Sequence, residues 1–139
     1  MRYHALRLKR GQDLKISILQ FVFKNRIKAA FIVTCVGSLE KSRLRMADEN
    51  ISKEFDKKFE IVSLVGTLCP DGVHLHISLS DAKGVTIGGH LQEGCIIYTT
   101  AEIIIGELEG LKFSRVFDKN TGFKELFIGW YFTISLKTW

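Results

Sequence analysis

The chain has 139 residues, of which 46% are hydrophobic and 25% charged, with a single proline. That balance excludes a disordered chain and fits one domain, residues 1–139, large enough to bury roughly two-thirds of its unfolded surface. A net charge of +5 and a pI near 9.2 admit an acidic partner but are too mild to establish nucleic-acid binding. No apolar run approaches the roughly 20 residues of a membrane-spanning helix. The opening M-R-Y-H-A-L-R-L-K-R has no apolar signal core, so a cytoplasmic protein is expected.

Residues 2–9 alternate through Tyr3, Ala5, Leu6 and Leu8 and read as an opening strand, broken by Gly11-Gln12-Asp13. Asp13 can cap a helix from Leu14 to about Lys24, in which Leu14, Ile18, Phe21 and Val22 keep helical spacing. Leu14, Ile16 and Ile18 fit a strand equally well. Residues 29–38 form a β-rich run expected to be covered on both faces. From Leu39 to Ala47, Lys41, Arg43 and Arg45 share one face while Ser42, Leu44 and Met46 take the other. This basic row is a candidate seat for a phosphate, an acidic ligand or a nucleic-acid backbone; the alternative is a solvated outer face. Residues 48–58, mixed in charge, read as an exposed loop, and Phe59 to Leu68 as a strand ending at the turn Cys69-Pro70-Asp71-Gly72.

The next stretch, V-H-L-H-I-S-L-S-D-A-K-G-V-T-I-G-G-H-L from Val73 to Leu91, holds three of the four histidines. His74 and His76 lie two apart on a predicted strand and so point to one face. Asp81-Ala82-Lys83-Gly84 reads as a type I turn with Gly84 in the left-handed position, giving a three-residue hairpin loop that pairs Asp81 with Val85. Counting back sets His76 opposite His90, and all three imidazoles converge. Gly88-Gly89 could add a bulge, or let the backbone approach a bound group. Three neutral imidazoles with no fourth protein ligand match an open zinc site; iron, nickel or copper also accept nitrogen ligands. The alternative is three half-buried strand histidines bonded to backbone.

Cys95 to Leu108 is the longest apolar run, interrupted by Thr99-Thr100-Ala101-Glu102. A carboxylate inside a buried strand needs a partner, so Glu102 is a candidate general acid or base beside the metal, or else a structural residue hydrogen-bonded or salt-bridged between subunits or to Arg115. Leu111–Phe117 and Phe123–Phe127 form a hairpin around residues 118–122. Beyond it Leu126, Ile128, Trp130, Phe132, Ile134 and Leu136 line one side of a strand that needs a cover, for which a subunit contact is the candidate. Cys35, Cys69 and Cys95, odd in number and without a C-x-x-C pair, read as reduced, buried thiols.

F-E-I-V-S-L-V-G-T-L (59–68), D-G-V-H-L-H-I-S-L-S-D (71–81), G-G-H-L (88–91), G-C-I-I-Y-T-T-A-E-I-I-I-G-E-L (94–108) and the F-x-R-x-x-D-x-x-T-G-x-x-E-L spacing from Phe113 to Leu126, with G-S-L-E-K-S-R-L-R-M-A (37–47), together resemble the PPC (plant and prokaryote conserved) domain. The resemblance fades after about residue 127. It implies an α/β (α+β) fold, a mainly antiparallel sheet with a helix packed on it, and so favours the helical reading of 14–24. It also implies a homotrimer and a likeness of fold to acetolactate decarboxylase, a zinc enzyme whose metal is held by an H-x-H pair and a further histidine. By that likeness His74, His76 and His90 would hold zinc or another divalent transition metal. Single-domain prokaryotic members are described as predicted DNA-binding proteins, yet this sequence has no helix-turn-helix and no R-G-R hook. The expected function is therefore a DNA-binding or regulatory homotrimer with a three-histidine metal site. The alternative is a zinc-dependent lyase- or hydrolase-like enzyme acting on a small acidic substrate.

Overall fold

The computed structural model describes residues 1–47 and 50–131. Its elements are β1 (Arg2–Lys9), α1 (Leu14–Lys24), β2 (Ala30–Arg45), β3 (Ser52–Phe55), β4 (Phe59–Cys69), β5 (Gly72–Ser80), β6 (Thr86–Leu91), β7 (Ile96–Glu107), β8 (Leu111–Phe117) and β9 (Lys124–Trp130).

The segment after Asp13 is a helix because only helical spacing puts its large apolar residues on one side. Leu14, Ile18 and Val22 are fully buried, whereas Ile16, which a strand would have buried with them, is 38% exposed. Asp13 caps it by accepting the Ile16 N–H at 2.9 Å, and its other oxygen accepts the Gly94 N–H at 2.6 Å. One aspartate thus starts the helix and ties it to the β6–β7 connection.

The strands run antiparallel in the order β1-β7-β2-β4-β5-β6, with β3 on β2. The far end of the long β2 also meets β6, pairing Leu44 with Leu91 and Arg45 with His90. β2, β4, β5 and β6 therefore close on themselves. α1 packs against β4, β5 and β7 over a core that includes Leu39, Leu44, Phe59, Leu75, Leu79, Leu91, Ile97 and Ile103. Each such side chain contributes about 1.5–3 kcal/mol by leaving water. The β8–β9 hairpin forms its own two-stranded sheet, seated through Phe113 on Ala29 and Cys69.

Two expectations are corrected. Residues 48–58 are not all loop, since β3 pairs Ser52–Phe55 with Ser42–Arg45; its polar side chains hide a strand that only the partner specifies. The run 29–38 is covered on one face only: Val33 and Val36 are 46% and 56% exposed. The row expected beyond Leu126 is described as far as Trp130, with Ile128 and Trp130 exposed; Phe132, Ile134 and Leu136 lie outside the described residues. All three cysteines are free and buried, and burial raises the thiols of Cys35 and Cys95 to about 12 and about 11. Among the described residues no helix is long and apolar enough to cross a membrane.

Candidate metal centre

The turn between β5 and β6 sets the site. Asp81 N–H donates to the Val85 carbonyl at 3.0 Å, and Gly84 N–H to the Asp81 carbonyl at 2.9 Å. Gly84 has φ +77°, the left-handed conformation that closes a three-residue loop. Asp81 Oδ1 accepts the N–H groups of Lys83 and Val85, and Lys57 Nζ bonds its other oxygen at 2.8 Å. The lysine bond, then the backbone donors, hold the Asp81 carboxyl below its ordinary range. From this turn the pairing runs without a slip from Ser80–Thr86 to His76–His90. No bulge forms at Gly88-Gly89; instead a Cβ on Gly89 would lie 2.8 Å from the Arg45 carbonyl oxygen, so the missing side chain admits β2.

His74, His76 and His90 converge as that register requires. Their ring centroids lie 5.0, 5.1 and 5.5 Å apart, and one nitrogen from each falls within 4.8 Å of the others. His74 Nε2 and His76 Nε2 are 3.2 Å apart. Two nitrogens bound to one tetrahedral zinc at its usual bond length stand about 3.3 Å apart, so this pair already has a chelate's spacing. Among the described residues His90 Nδ1 is buried and without a hydrogen-bond partner. Such an orphaned polar atom costs about 1–3 kcal/mol unless something takes its lone pair, and a metal ion would.

The electrostatics disfavour a proton on His74 and on His90, and a metal requires the neutral ring. Burial, then the Arg45 guanidinium and the neighbouring histidines, hold His90 down to about 4. His74 is lowered by burial first, then by His76, Arg115 and Arg45, with Glu125 opposing.

The remaining predicted residues are placed elsewhere. Glu102 is exposed on β7, opposite Arg7 and Val36, with β2 between β7 and β6 and both β2 and β4 between β7 and β5. Its desolvation argument therefore lapses, since the strand's outer face is open to solvent, and Arg115 bonds Thr67 instead. The basic row divides. Arg43 pairs with Glu54 at 3.5 Å, and Lys41 and Arg43 border a hollow with Glu54, Asp56 and Glu93, whereas Arg45 turns to the histidines. Arg115 and Lys124, to which sequence reasoning gave no anion-binding role, border the same cavity as His74 and His90. Arg115 lay in plain view within the Phe113–Leu126 spacing, but only tertiary contact brings that hairpin to β5.

A family model, the Plants and Prokaryotes Conserved (PCC) domain, matches residues 1–109. The chain belongs to this family. It is 46% identical over 128 residues to the bifunctional protein GlmU of Synechococcus sp., covering 92% of this chain and 21% of that one. The chain thus spans about a fifth of that relative's length. Among solved structures, a hypothetical protein from Salmonella cholerae-suis matches with a TM-score of 0.91 at 42% identity, covering 94% of this chain and 95% of that one. A metal-containing protein from Archaeoglobus fulgidus matches with a TM-score of 0.80 at 27% identity over 91% and 94% of the two chains. A candidate DNA-binding protein from Bacteroides thetaiotaomicron shares the fold at 20% identity, with a TM-score of 0.79 over 89% and 90%.

Proposed function

We propose that this PCC-domain protein is a homotrimer that binds one divalent transition metal per chain, zinc by the chemistry of its donors, through His74, His76 and His90. The observation that carries the reading is the convergence of three imidazoles on one rigid face with a nitrogen pair already 3.2 Å apart. The metal-containing relative from Archaeoglobus supports it. Self-association is supported by the exposed valines Val33, Val36, Val62 and Val65 on β2 and β4, and the number three comes from the family likeness.

Three protein ligands leave one coordination position for water or substrate, the arrangement of catalytic rather than structural zinc. Bound there, zinc would polarise a carbonyl or lower the pKa of a water. Together with the adjoining cavity, this favours a lyase- or hydrolase-like reaction on a small acidic substrate. The DNA-binding reading keeps the +5 charge in its support.

Metal analysis of the native protein beside His76→Ala tests the centre. About one equivalent in the native chain and little in the variant is expected, because two imidazoles hold a divalent ion far more weakly than three. Equal metal in both would remove the site.

A further inference from the structure

The cavity beside the histidines, about 400 Å³ in volume, carries more positive charge than its own carboxylates neutralise. Arg45 reaches it from β2, Arg115 from β8 and Lys124 from β9, against Asp71 and Glu125. None of these three cations forms an ion pair among the described residues. Gathering unpaired cations around a concavity costs repulsion that grows when a ligand displaces water, and an anion relieves it.

Arg115 is fixed for such a role. One terminal nitrogen donates to Thr67 Oγ1 at 2.7 Å and to the Thr67 carbonyl at 3.4 Å. A guanidinium has five N–H donors, so three remain to grip an oxyanion in its planar fork. Phe123 and Val73 add apolar wall, and the volume lies in the range of small-ligand pockets.

We propose that this cavity seats a small organic anion, its carboxylate or phosphate held by Arg115 with Lys124 and Arg45, and its carbonyl or hydroxyl oxygen turned to the histidines. The second half rests on the metal reading above; the first stands on the cations alone. The ligand class that satisfies both is a short oxygen-bearing acid, such as a 2-oxo carboxylate or a small phosphate ester.

The test titrates cobalt-loaded protein with pyruvate and with pyruvamide, its uncharged counterpart of similar shape, reading heat and the visible cobalt spectrum. Pyruvate is expected to bind at least about tenfold more tightly than pyruvamide and to shift the spectrum. Arg115→Met is expected to weaken pyruvate about tenfold or more, and Lys124→Met severalfold, with cobalt content unchanged. Among the described residues Lys124 makes no side-chain hydrogen bond or ion pair, so its variant serves even where loss of the Thr67 contact unfolds Arg115→Met. Equal binding of pyruvate and pyruvamide, or no effect of Lys124→Met, would overturn the seat while leaving the metal centre intact. Should the chain take up no cobalt, the metal reading falls and inorganic phosphate on the metal-free protein decides. Binding lost in Lys124→Met upholds the seat, and absence of binding overturns it.

Discussion

Arg45 and His90 stand directly opposite each other where β2 meets β6, and His90 is at the same time the partner of His76 across β5 and β6. With Val65 opposite His76 on β4, one row crosses four strands of the closed sheet. A cation therefore sits beside a candidate metal-ligating ring by register, not by the chance reach of a long side chain. It disfavours a proton on His90 without competing for a metal's coordination position. Arg45→Met should raise the titration midpoint of His90 in the metal-free protein, because the second-largest cause of its lowering is gone while burial remains. An NMR titration of the imidazole protons that shows no rise would separate Arg45 from the site.

The same shift has a consequence for stability. His90 is held at about 4 in the folded chain, while an unfolded histidine keeps its ordinary value near 6.5. Between these values the unfolded state binds more protons, so stability rises with pH and falls as acid is added. Arg45, His74, His76 and Lys15 all push His90 the same way. For metal-free protein the urea midpoint should fall from about pH 7 to about pH 4.5, and less steeply in His90→Gln. A midpoint that is flat over that window would contradict the burial of His90.

Geometry rather than composition makes the site, so changes that spare the histidines should still destroy it. Deleting Thr86, between the turn and His90, leaves the loop closed at Asp81 and Val85 but sets His90 opposite Ile77 and so on the other face. Gly89→Ala places a methyl against the Arg45 carbonyl and must push β6 from β2. Both variants should lose metal affinity, the deletion entirely and Gly89→Ala by about tenfold or more, as for other shifts of a ligand's support. Calorimetric zinc titration checks this; native affinity in the deletion would refute the register.

That register was legible because hairpins are local: the turn residues at 81–84 and the spacing of the histidines lie within one short stretch, and Asp81 and Gly84 act as their types suggest. The helix was ambiguous because Leu14, Ile16 and Ile18 satisfy two periodicities, and only packing exposes Ile16. Glu102 is exposed because β7 has an open side, which an apolar run alone does not reveal. Nothing in the sequence announced that β2 reaches past β4 to touch β6, or that Arg115 and Lys124 come to His74. Those are long-range contacts, and a single sequence encodes them without displaying them.

The valines Val33, Val36, Val62 and Val65 should be the surface through which copies meet, since β-branched residues half exposed on adjoining strands are costly in water. Val36→Glu with Val62→Glu places two charges in that strip and is expected to reduce the assembly from three chains to one by sedimentation equilibrium. A native protein that sediments as one chain would refute the trimer outright.

Binding to DNA is open to a different measurement. A protein that neutralises Z phosphates loses affinity with salt at a logarithmic slope near −0.9Z. Here the basic row is not a continuous track: Arg43 is paired with Glu54 and Arg45 borders the histidine cavity. The exposed Lys41 shares its hollow with three carboxylates. Duplex titrations at rising salt should therefore give weak binding with a slope worth only about one or two phosphates. A steep slope that Lys41→Ala and Arg43→Ala together flatten would show that the row engages a phosphate backbone after all. It would move the function from small-molecule chemistry to nucleic acid, with the metal left to hold β5 and β6 in register.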